Sequence, residues 1–201
     1  MENLGDEYRF SVRPGELPAA ACEMFAGLEE PSREDLEVLY RQIARSPAGS
    51  VFVARRCPQG LPAVILTVPT ELPVGPFPPL LWLSCPHAAR EAGRLEGEGL
   101  ARYFERMLKS HDPARERFME EEAEFADVTG RVLRNAWGRE LAGKVGEKGV
   151  AGGARGAVKC LHAHLAFRLA SGRGQVGGWC LDALEKGTGI WCEKKPAACL
   201  D

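Results

Sequence analysis

The stretch Pro62-Ala-Val-Ile-Leu-Thr-Val68 is apolar at almost every position and rich in β-branched side chains. A run of this length and composition is typical of a strand that is buried on both faces and lies at the centre of its sheet. Two other strand-like runs flank it, at residues 50–57 and 80–84, and a tight turn at residues 58–61 joins the first two runs. The sequence therefore predicts an antiparallel meander with residues 62–68 in the middle.

Helical patterns lie on both sides of these strands. Ser32 and Asp35 form a capping-box pattern that predicts a helix up to about Arg45. Cys85 followed by Pro86 is typical of an N-cap with proline at the first helical position. Helices are predicted over residues 86–95, 98–110, 113–141, 157–170 and 179–184, and the acidic run 121–124 is expected to face solvent. The predicted fold class is α+β, with a small antiparallel three-stranded meander packed against a mainly helical C-terminal two-thirds.

The length and composition are typical of an ordinary globular protein with one domain. The chain has 201 residues, of which 45% are hydrophobic and 27% are charged. We divide the predicted single domain, residues 1–201, into an N-terminal helical arm (1–47), the sheet (48–86), a helical part (87–190) and a cysteine-containing tail (191–201). No apolar run is long enough to span a bilayer and no secretion signal is visible, so a cytoplasmic protein without a membrane partner is expected.

The run Ala157-Val-Lys-Cys160-Leu-His162-Ala-His164 contains the side chains best suited to chemistry. On a helix that includes all of them, Cys160 and His164 lie on one face four residues apart, and His162 lies on the opposite side. The helix is apolar nearly all round, so it is predicted to be buried. Cys160 follows a glycine-rich segment at the predicted start of this helix, where unpaired amides and the helix dipole favour a negatively charged group.

A metal centre is predicted where this helix meets the sheet. In an up-down-up meander, the end of the first strand and the end of the third strand lie at the same edge, and each of these ends carries a cysteine. Three or four sulfur ligands with at most one imidazole suit zinc or an iron–sulfur cluster. The predicted ligands are Cys57, Cys85 and Cys160, with a fourth from His162, His164 or Cys192.

A thiol enzyme is the second hypothesis. Cys160 would be the nucleophile and His162 or His164 its base, acting on a small anionic substrate. Residues 131–201 carry twelve basic and six acidic side chains, so this third of the chain has a net charge of +6 and could hold an anion. The candidate anion contacts are Lys148, Arg155 and Lys159, with Arg55 and Arg56 on the first strand.

A helical interaction protein is the third hypothesis. The charged surface of the helix over residues 113–141 would bind a protein partner, and the cysteines would only be packed in the core, as is expected for Cys22 and Cys180.

The segment 143–156 contains six glycines and is expected to be mobile until a ligand binds. No GxxxxGK[ST] motif occurs, and the GxGxxG match at residues 172–177 follows a helix, so it is interpreted as a helix end and loop.

Three stretches together resemble a known family. They are Val53-Ala-Arg-Arg-Cys57-Pro-Gln-Gly60-Leu-Pro62, Pro76-Phe-Pro78 with Trp82-Leu-Ser-Cys85-Pro86, and Val158-Lys-Cys160-Leu-His162-Ala-His164. In this order they are similar to the bacterial family called domain of unknown function 501, over roughly residues 35–185. The chain departs from the family at Pro79, where the family usually has threonine, and at residues 174–177, where it usually has Asn-Pro before a glycine. The resemblance implies a bacterial cytoplasmic protein and implies no activity.

Overall fold

The structure, a computed structural model of the chain, describes residues 17–44, 49–68, 80–137, 148–152 and 155–192. The fold is α+β, as predicted, with one small sheet and a mainly helical remainder. The strands are β1 (Ser50–Arg56), β2 (Pro62–Val68) and β3 (Leu81–Leu83). The helices within the described residues are α1 (Ala19–Met24), α2 (Arg33–Ile43), α3 (Pro86–Gly97), α4 (Leu100–Ser110), α5 (Asp112–Trp137), α6 (Leu161–Ser171) and α7 (Gln175–Glu185).

The sheet confirms the predicted meander. Strand β2 lies between β1 and β3, both pairings are antiparallel, and Ile65 stands opposite Val53 on one side and Trp82 on the other. All seven residues of β2 are buried because helices cover both faces of the sheet. Val64 and Leu66 pack on the side of α5 and α6, whereas Ile65 packs against Leu39 of α2. The near-continuous apolarity of β2 thus follows from its place in the sheet.

Helix α6 joins the two main apolar clusters of the molecule. Its Ala163, Ala166 and Phe167 face the sheet, α1 and α5, and its Leu161 and Leu165 face α3, α4 and α7. The Phe167 ring meets the rings of Phe25 and Phe125 edge-on, at centroid distances of 6.5 and 5.4 Å. The prediction of a buried helix here is confirmed, and its burial fixes the position of the residues at its start.

The acidic run of α5 is not the solvated surface that the sequence predicts. Glu122 is only 1% exposed and accepts a hydrogen bond from the Val150 backbone N–H. Glu121 accepts hydrogen bonds from the backbone N–H groups of Gly174 and Gln175, and so caps the start of α7. Glu124 forms an ion pair with Arg173. The run therefore joins α5 to its neighbours, which leaves less of this helix available to the predicted protein partner.

Arg56 forms ion pairs with two carboxylates of the fold, so it is not available to the predicted anionic substrate. Its guanidinium donates to both carboxylate oxygens of Asp35, at 2.8 and 2.9 Å, and to Glu29 at 2.9 Å. The hydrogen bond from Arg56 holds the pKa of the Asp35 carboxyl below its usual range. Asp35 also completes the predicted capping box with Ser32, so this contact ties the start of α2 to the end of β1.

Several element boundaries differ from the predictions. The last helix, α7, begins at Gln175 and ends at Glu185, so it is longer than the predicted 179–184. Helix α5 ends at Trp137, and residues 138–141 of the predicted helix lie outside the described residues. Half of the segment 143–156, whose mobility was predicted, also lies outside them. Gly172 ends α6 with φ of 70°, which confirms the interpretation of the GxGxxG match as a helix end.

None of the helices in the described parts of the chain combines the length and the apolar character that crossing a membrane requires.

Candidate metal centre

Helix α6 begins four residues later than predicted, and this changes the position of Cys160. Residues 157–160 have no helical structure, and Cys160 is the N-cap of α6 with φ of −137° and ψ of 111°. Its carbonyl accepts the first intrahelical bond, from the His164 N–H at 3.3 Å, but its extended backbone takes its side chain off the helical face. The prediction that Cys160 and His164 share one face of a helix is therefore wrong.

Glu96, from the last turn of α3, supplies the cap that Cys160 does not. The Glu96 Oε1 atom accepts a hydrogen bond of 2.6 Å from the Leu161 backbone N–H, whereas the Cys160 side chain makes no capping bond. A carboxylate at this point also interacts favourably with the dipole of α6. Packing of α3 against α6 thus brings an acidic side chain to the cysteine, across 64 residues of sequence.

Three side chains of different chemistry meet at this helix start. The Nδ1 atom of His162 lies 3.1 Å from the same Glu96 Oε1 atom. One potential ligand atom from each of Glu96, Cys160 and His162 lies within 4.8 Å of the other two. The side chains of His162 and Glu96 are 35% and 31% exposed, so the group is reached from solvent although it is partly buried. This is a compact sulfur, nitrogen and oxygen donor set.

The charges of the group are coupled. The hydrogen bond with Cys160 is the largest cause that raises the pKa of His162, to about 9; burial opposes it, and the hydrogen bond and negative charge of Glu96 support it. His162 is therefore an imidazolium at neutral pH, held in that state by its contacts with Cys160 and Glu96. A cation is stabilised at this position.

His164 lies in a different environment from His162. It is 2% exposed, its ring packs against Phe118 at a centroid distance of 5.7 Å, and its Nε2 atom has no hydrogen-bond partner among the described residues. Burial lowers the pKa of His164 to about 4, so its ring is neutral. The structure brings His162, and not His164, to Cys160.

The other predicted ligands belong to no group at this spacing within the described residues. Cys85 is buried at the N-cap of α3, and Cys57 packs against the same apolar cluster from the end of β1. Cys192 is partly buried after α7. Their convergence on Cys160 stays a prediction, and the group that the structure presents is a different one.

Cys22 and Cys180 were both expected in the core, and only Cys180 is buried. Cys22 is exposed because α1 buries only Ala21 among its six residues. Cys180, in α7, is fully buried; burial raises the pKa of its thiol to about 12, with smaller contributions from Glu96 and Cys160. Cys180 therefore lies near the group as an unreactive core residue.

The predicted anion contacts are spread along the chain before Cys160. Arg155 and Lys159 are exposed, as is Arg55 on β1, and Lys148 is partly buried. Burial raises the pKa of the Glu122 carboxyl and the positive charge of Arg155 opposes this rise, so this cation acts on the buried carboxyl of α5. Their role toward an anionic ligand stays a prediction.

Glu96 is not among the residues that the sequence predicts for the site, although one signal for it is present. Glu96 and Glu98 stand at the C-terminal end of α3, where the helix dipole disfavours a carboxylate. Arg94 compensates Glu98 with an ion pair at 2.5 Å. Glu96 forms no such ion pair with Arg94. The Leu161 N–H at the start of α6 offsets the unfavourable position of its carboxylate instead. An acidic residue at a helix end without a local partner was the available hint.

Comparison with known proteins gives a family and no activity. No curated protein and no solved structure matches the chain significantly. A family model described as a protein of unknown function (DUF501) matches residues 53–182, a span that contains Glu96, Cys160 and His162. This span is well over half of the 201 residues, and the chain belongs to the DUF501 family.

Proposed function

We propose that the protein binds zinc through Glu96, Cys160 and His162. The observation that carries the proposal is the placement of one ligand atom from each residue within 4.8 Å of the other two. In a tetrahedral zinc site, neighbouring ligand atoms lie about 3.3 to 3.6 Å apart. The 3.1 Å between Glu96 Oε1 and His162 Nδ1 is close to this spacing, so small side-chain shifts would suffice to admit the ion.

The donor set favours zinc over the iron–sulfur cluster that the sequence also suggested. A cluster is held mainly by cysteine thiolates, whereas this group supplies one sulfur. Thiolate, imidazole and carboxylate are all zinc ligands. Zinc would also replace the positive charge that the imidazolium of His162 supplies, so the ion and the proton compete for the ring.

Three protein ligands leave a fourth coordination position for water or a substrate, which is the composition of catalytic rather than structural zinc sites. The partial exposure of Glu96 and His162 supports an accessible position. The Leu161 N–H, which donates to Glu96, would hold the carboxylate in place. The proposal is thus a zinc protein with an open site.

The first prediction is a loss of zinc affinity on removal of a ligand. Cys160→Ser is expected to weaken zinc binding at least about 100-fold, because loss of an outer residue alone costs up to that factor. Glu96→Gln and His162→Gln are expected to weaken binding as well. The measurement is isothermal titration of purified, metal-stripped protein with zinc at pH 8, with the metal content of untreated protein determined in parallel.

Cys57→Ser and Cys192→Ser are the matched controls, since both thiols lie outside the group. Each is expected to leave zinc affinity unchanged. Equal losses in Cys57→Ser and Cys160→Ser would instead favour the centre of three cysteines. Absence of zinc binding at a ratio near one ion per chain would contradict both.

Thiol chemistry at Cys160 is the second candidate. It is supported by the closeness of the Cys160 sulfur to the His162 ring and by the contact of His162 with Glu96, an order of nucleophile, imidazole and carboxylate. Helix α6 begins directly after Cys160, which places the cysteine at a helix N-terminus. The two candidates share the same three residues and differ in whether a metal is needed.

Selective alkylation tests the second candidate. In metal-free protein, iodoacetamide is expected to modify Cys160 faster than the more exposed Cys22, although Cys160 is only partly accessible. His162→Gln should remove this advantage because the adjacent imidazole is the activating group. Peptide mass spectrometry of a time course gives both rates. A faster reaction at Cys22 than at Cys160 would rule out an activated thiol.

A cytoplasmic location is part of the proposal. It is supported by the six described cysteines, which form no disulfide with one another. Reduced thiols and labile zinc ligands of this kind are maintained in reducing compartments.

A further inference from the structure

A groove with an aromatic wall lies between α4 and α7, away from Cys160 and His162. It has a volume of about 670 Å³, and the turn between α3 and α4 contributes Glu98 and Gly99 to its lining. Grooves of roughly 300 to 1,000 Å³ are the usual size of small-molecule sites. None of the three proposed zinc ligands lines it.

Three aromatic rings form a continuous chain along the groove. Tyr103 and Phe104 of α4 lie 5.9 Å apart between ring centroids, and Phe104 and Trp179 of α7 lie 5.6 Å apart. Phe104 is buried and anchors the other two, whereas Tyr103 is 51% exposed. An exposed tyrosine held by a buried ring offers a face on which a planar ligand can stack.

Two cations flank these rings. Arg106 and Lys186 line the groove, both are exposed, and neither forms an ion pair with any other described residue. The carboxylate of Glu98, also at the groove, is taken up by Arg94. Asp182 is the other acidic residue of the lining, so two cations and two carboxylates line the groove, and only Glu98 among these four forms an ion pair with another described residue.

The guanidinium of Arg106 lies 5.9 Å from the centre of the Tyr103 ring. An arginine over an aromatic ring keeps its donors free at the edge of the stack, where they can meet an anionic group of a ligand. The Tyr103 ring and the Arg106 guanidinium thus lie next to each other. A ligand with an aromatic part and an anionic part could contact both.

We propose that this groove binds a small molecule with a planar aromatic ring and a phosphate group, the chemistry of a mononucleotide. The ring stacks on Tyr103 and Trp179, and the phosphate contacts Arg106 and Lys186. This site does not depend on the zinc proposal, since it shares no residue with it. Binding here needs no P-loop, which the sequence lacks.

The test separates the two parts of the ligand. The four ribonucleoside 5′-monophosphates, adenosine and inorganic phosphate are titrated individually into the full chain by calorimetry. At least one monophosphate is expected to bind with a Kd below about 1 mM. If adenosine monophosphate is that ligand, adenosine and phosphate alone should each bind at least about 10-fold more weakly, because each lacks one of the two contacts.

The variants assign the binding to the groove. Arg106→Ala and Lys186→Ala are expected to weaken monophosphate binding several-fold without affecting adenosine, and Tyr103→Ala to weaken both. Arg102→Ala, an exposed cation on the same helix outside the lining, is the matched control and should change nothing.

Failure of all four monophosphates to bind below about 1 mM, or binding that none of the three groove variants alters, would overturn the proposal. Self-association that Tyr103→Ala abolishes, seen by sedimentation without any nucleotide binding, would overturn it too and identify the groove as a contact between copies.

Discussion

Replacing Gly177 by alanine is expected to destabilise the fold by about 3 kcal/mol or more, at the upper end of overpacking effects. A Cβ atom at Gly177 would lie 2.3 Å from the carbonyl oxygen of His164 and 2.5 Å from Cβ of Arg168. The first of these atoms belongs to the backbone of α6, so the clash cannot be relieved by rotating a side chain. Helices α6 and α7 would have to separate, and both contribute to the same apolar cluster.

Gly178 provides a matched control one residue further along the same helix. A Cβ atom at Gly178 would meet nothing within 4 Å. Gly178→Ala is therefore expected to be neutral or to stabilise by about 0.5 to 1 kcal/mol, because alanine is the better helix former. Urea unfolding monitored by circular dichroism compares the two variants with the natural chain. Similar stabilities for both variants would show that close contact between the α6 and α7 backbones is not required.

The fold was predictable where its causes are local. The apolar run of β2, the capping box of α2 and the Cys85-Pro86 start of α3 each depend on residues within a few positions of one another. The same holds for the all-round apolarity of α6. Such patterns determine the element and its burial, and through them the meander and the fold class.

Two of the three residues of the candidate site were predictable, whereas the third comes from a distant element. Cys160 and His162 stand two residues apart and drew attention together, but the start of α6 was placed at Ala157 and not at Leu161. That error put His164 beside Cys160. The true start depends on Glu96, whose carboxylate reaches the Leu161 N–H only after α3 and α6 have packed together.

The acidic run of α5 shows the same limit. The sequence pattern alone predicts that adjacent glutamate side chains face solvent. Glu121, however, caps α7 and Glu122 holds the segment around Val150, and both partners lie more than 25 residues away in the sequence. The starts of both C-terminal helices are thus capped by carboxylates from other helices, Glu96 for α6 and Glu121 for α7. Tertiary caps of this kind leave no signature in the sequence next to the helix start that they cap.

The burial of Glu122 leads to a pH-dependent stability. Burial is the main cause that raises the pKa of this carboxyl to about 7, opposed by the hydrogen bond from Val150 N–H and by the charge of Arg155, and supported by the charge of Glu121. A raised pKa means that the folded protein holds the proton more tightly than the unfolded chain does. The stabilising contribution is therefore complete below the ordinary pKa of 4.5 and is lost as the pH rises through about 7.

The contact with Gly149 shows how closely this carboxyl packs against the backbone. A Cβ atom at Gly149 would lie 1.6 Å from Glu122 Oε2, so the carboxyl occupies the space that any side chain at residue 149 would need. The Glu122 Oε1 atom accepts the neighbouring Val150 N–H at 3.2 Å. The carboxyl packs against the backbone of residues 149 and 150, and ionisation above pH 7 leaves a buried charge that forms no ion pair with any residue the structure describes.

Glu122→Gln is therefore expected to remove most of the stability loss that the natural chain shows between pH 5 and pH 8.5. Glutamine keeps the shape and the acceptor for Val150 N–H, but it does not ionise. The difference between the two proteins should grow with pH to roughly 3 kcal/mol in favour of the variant. Urea unfolding at both pH values measures it, and comparison of the two proteins cancels the other groups that titrate in this range.

Glu124→Gln, which removes only an exposed ion pair with Arg173, should change stability by less than about 1 kcal/mol at either pH. Equal pH dependence in the natural chain and in Glu122→Gln would mean that Glu122 is ionised in the folded protein throughout this range.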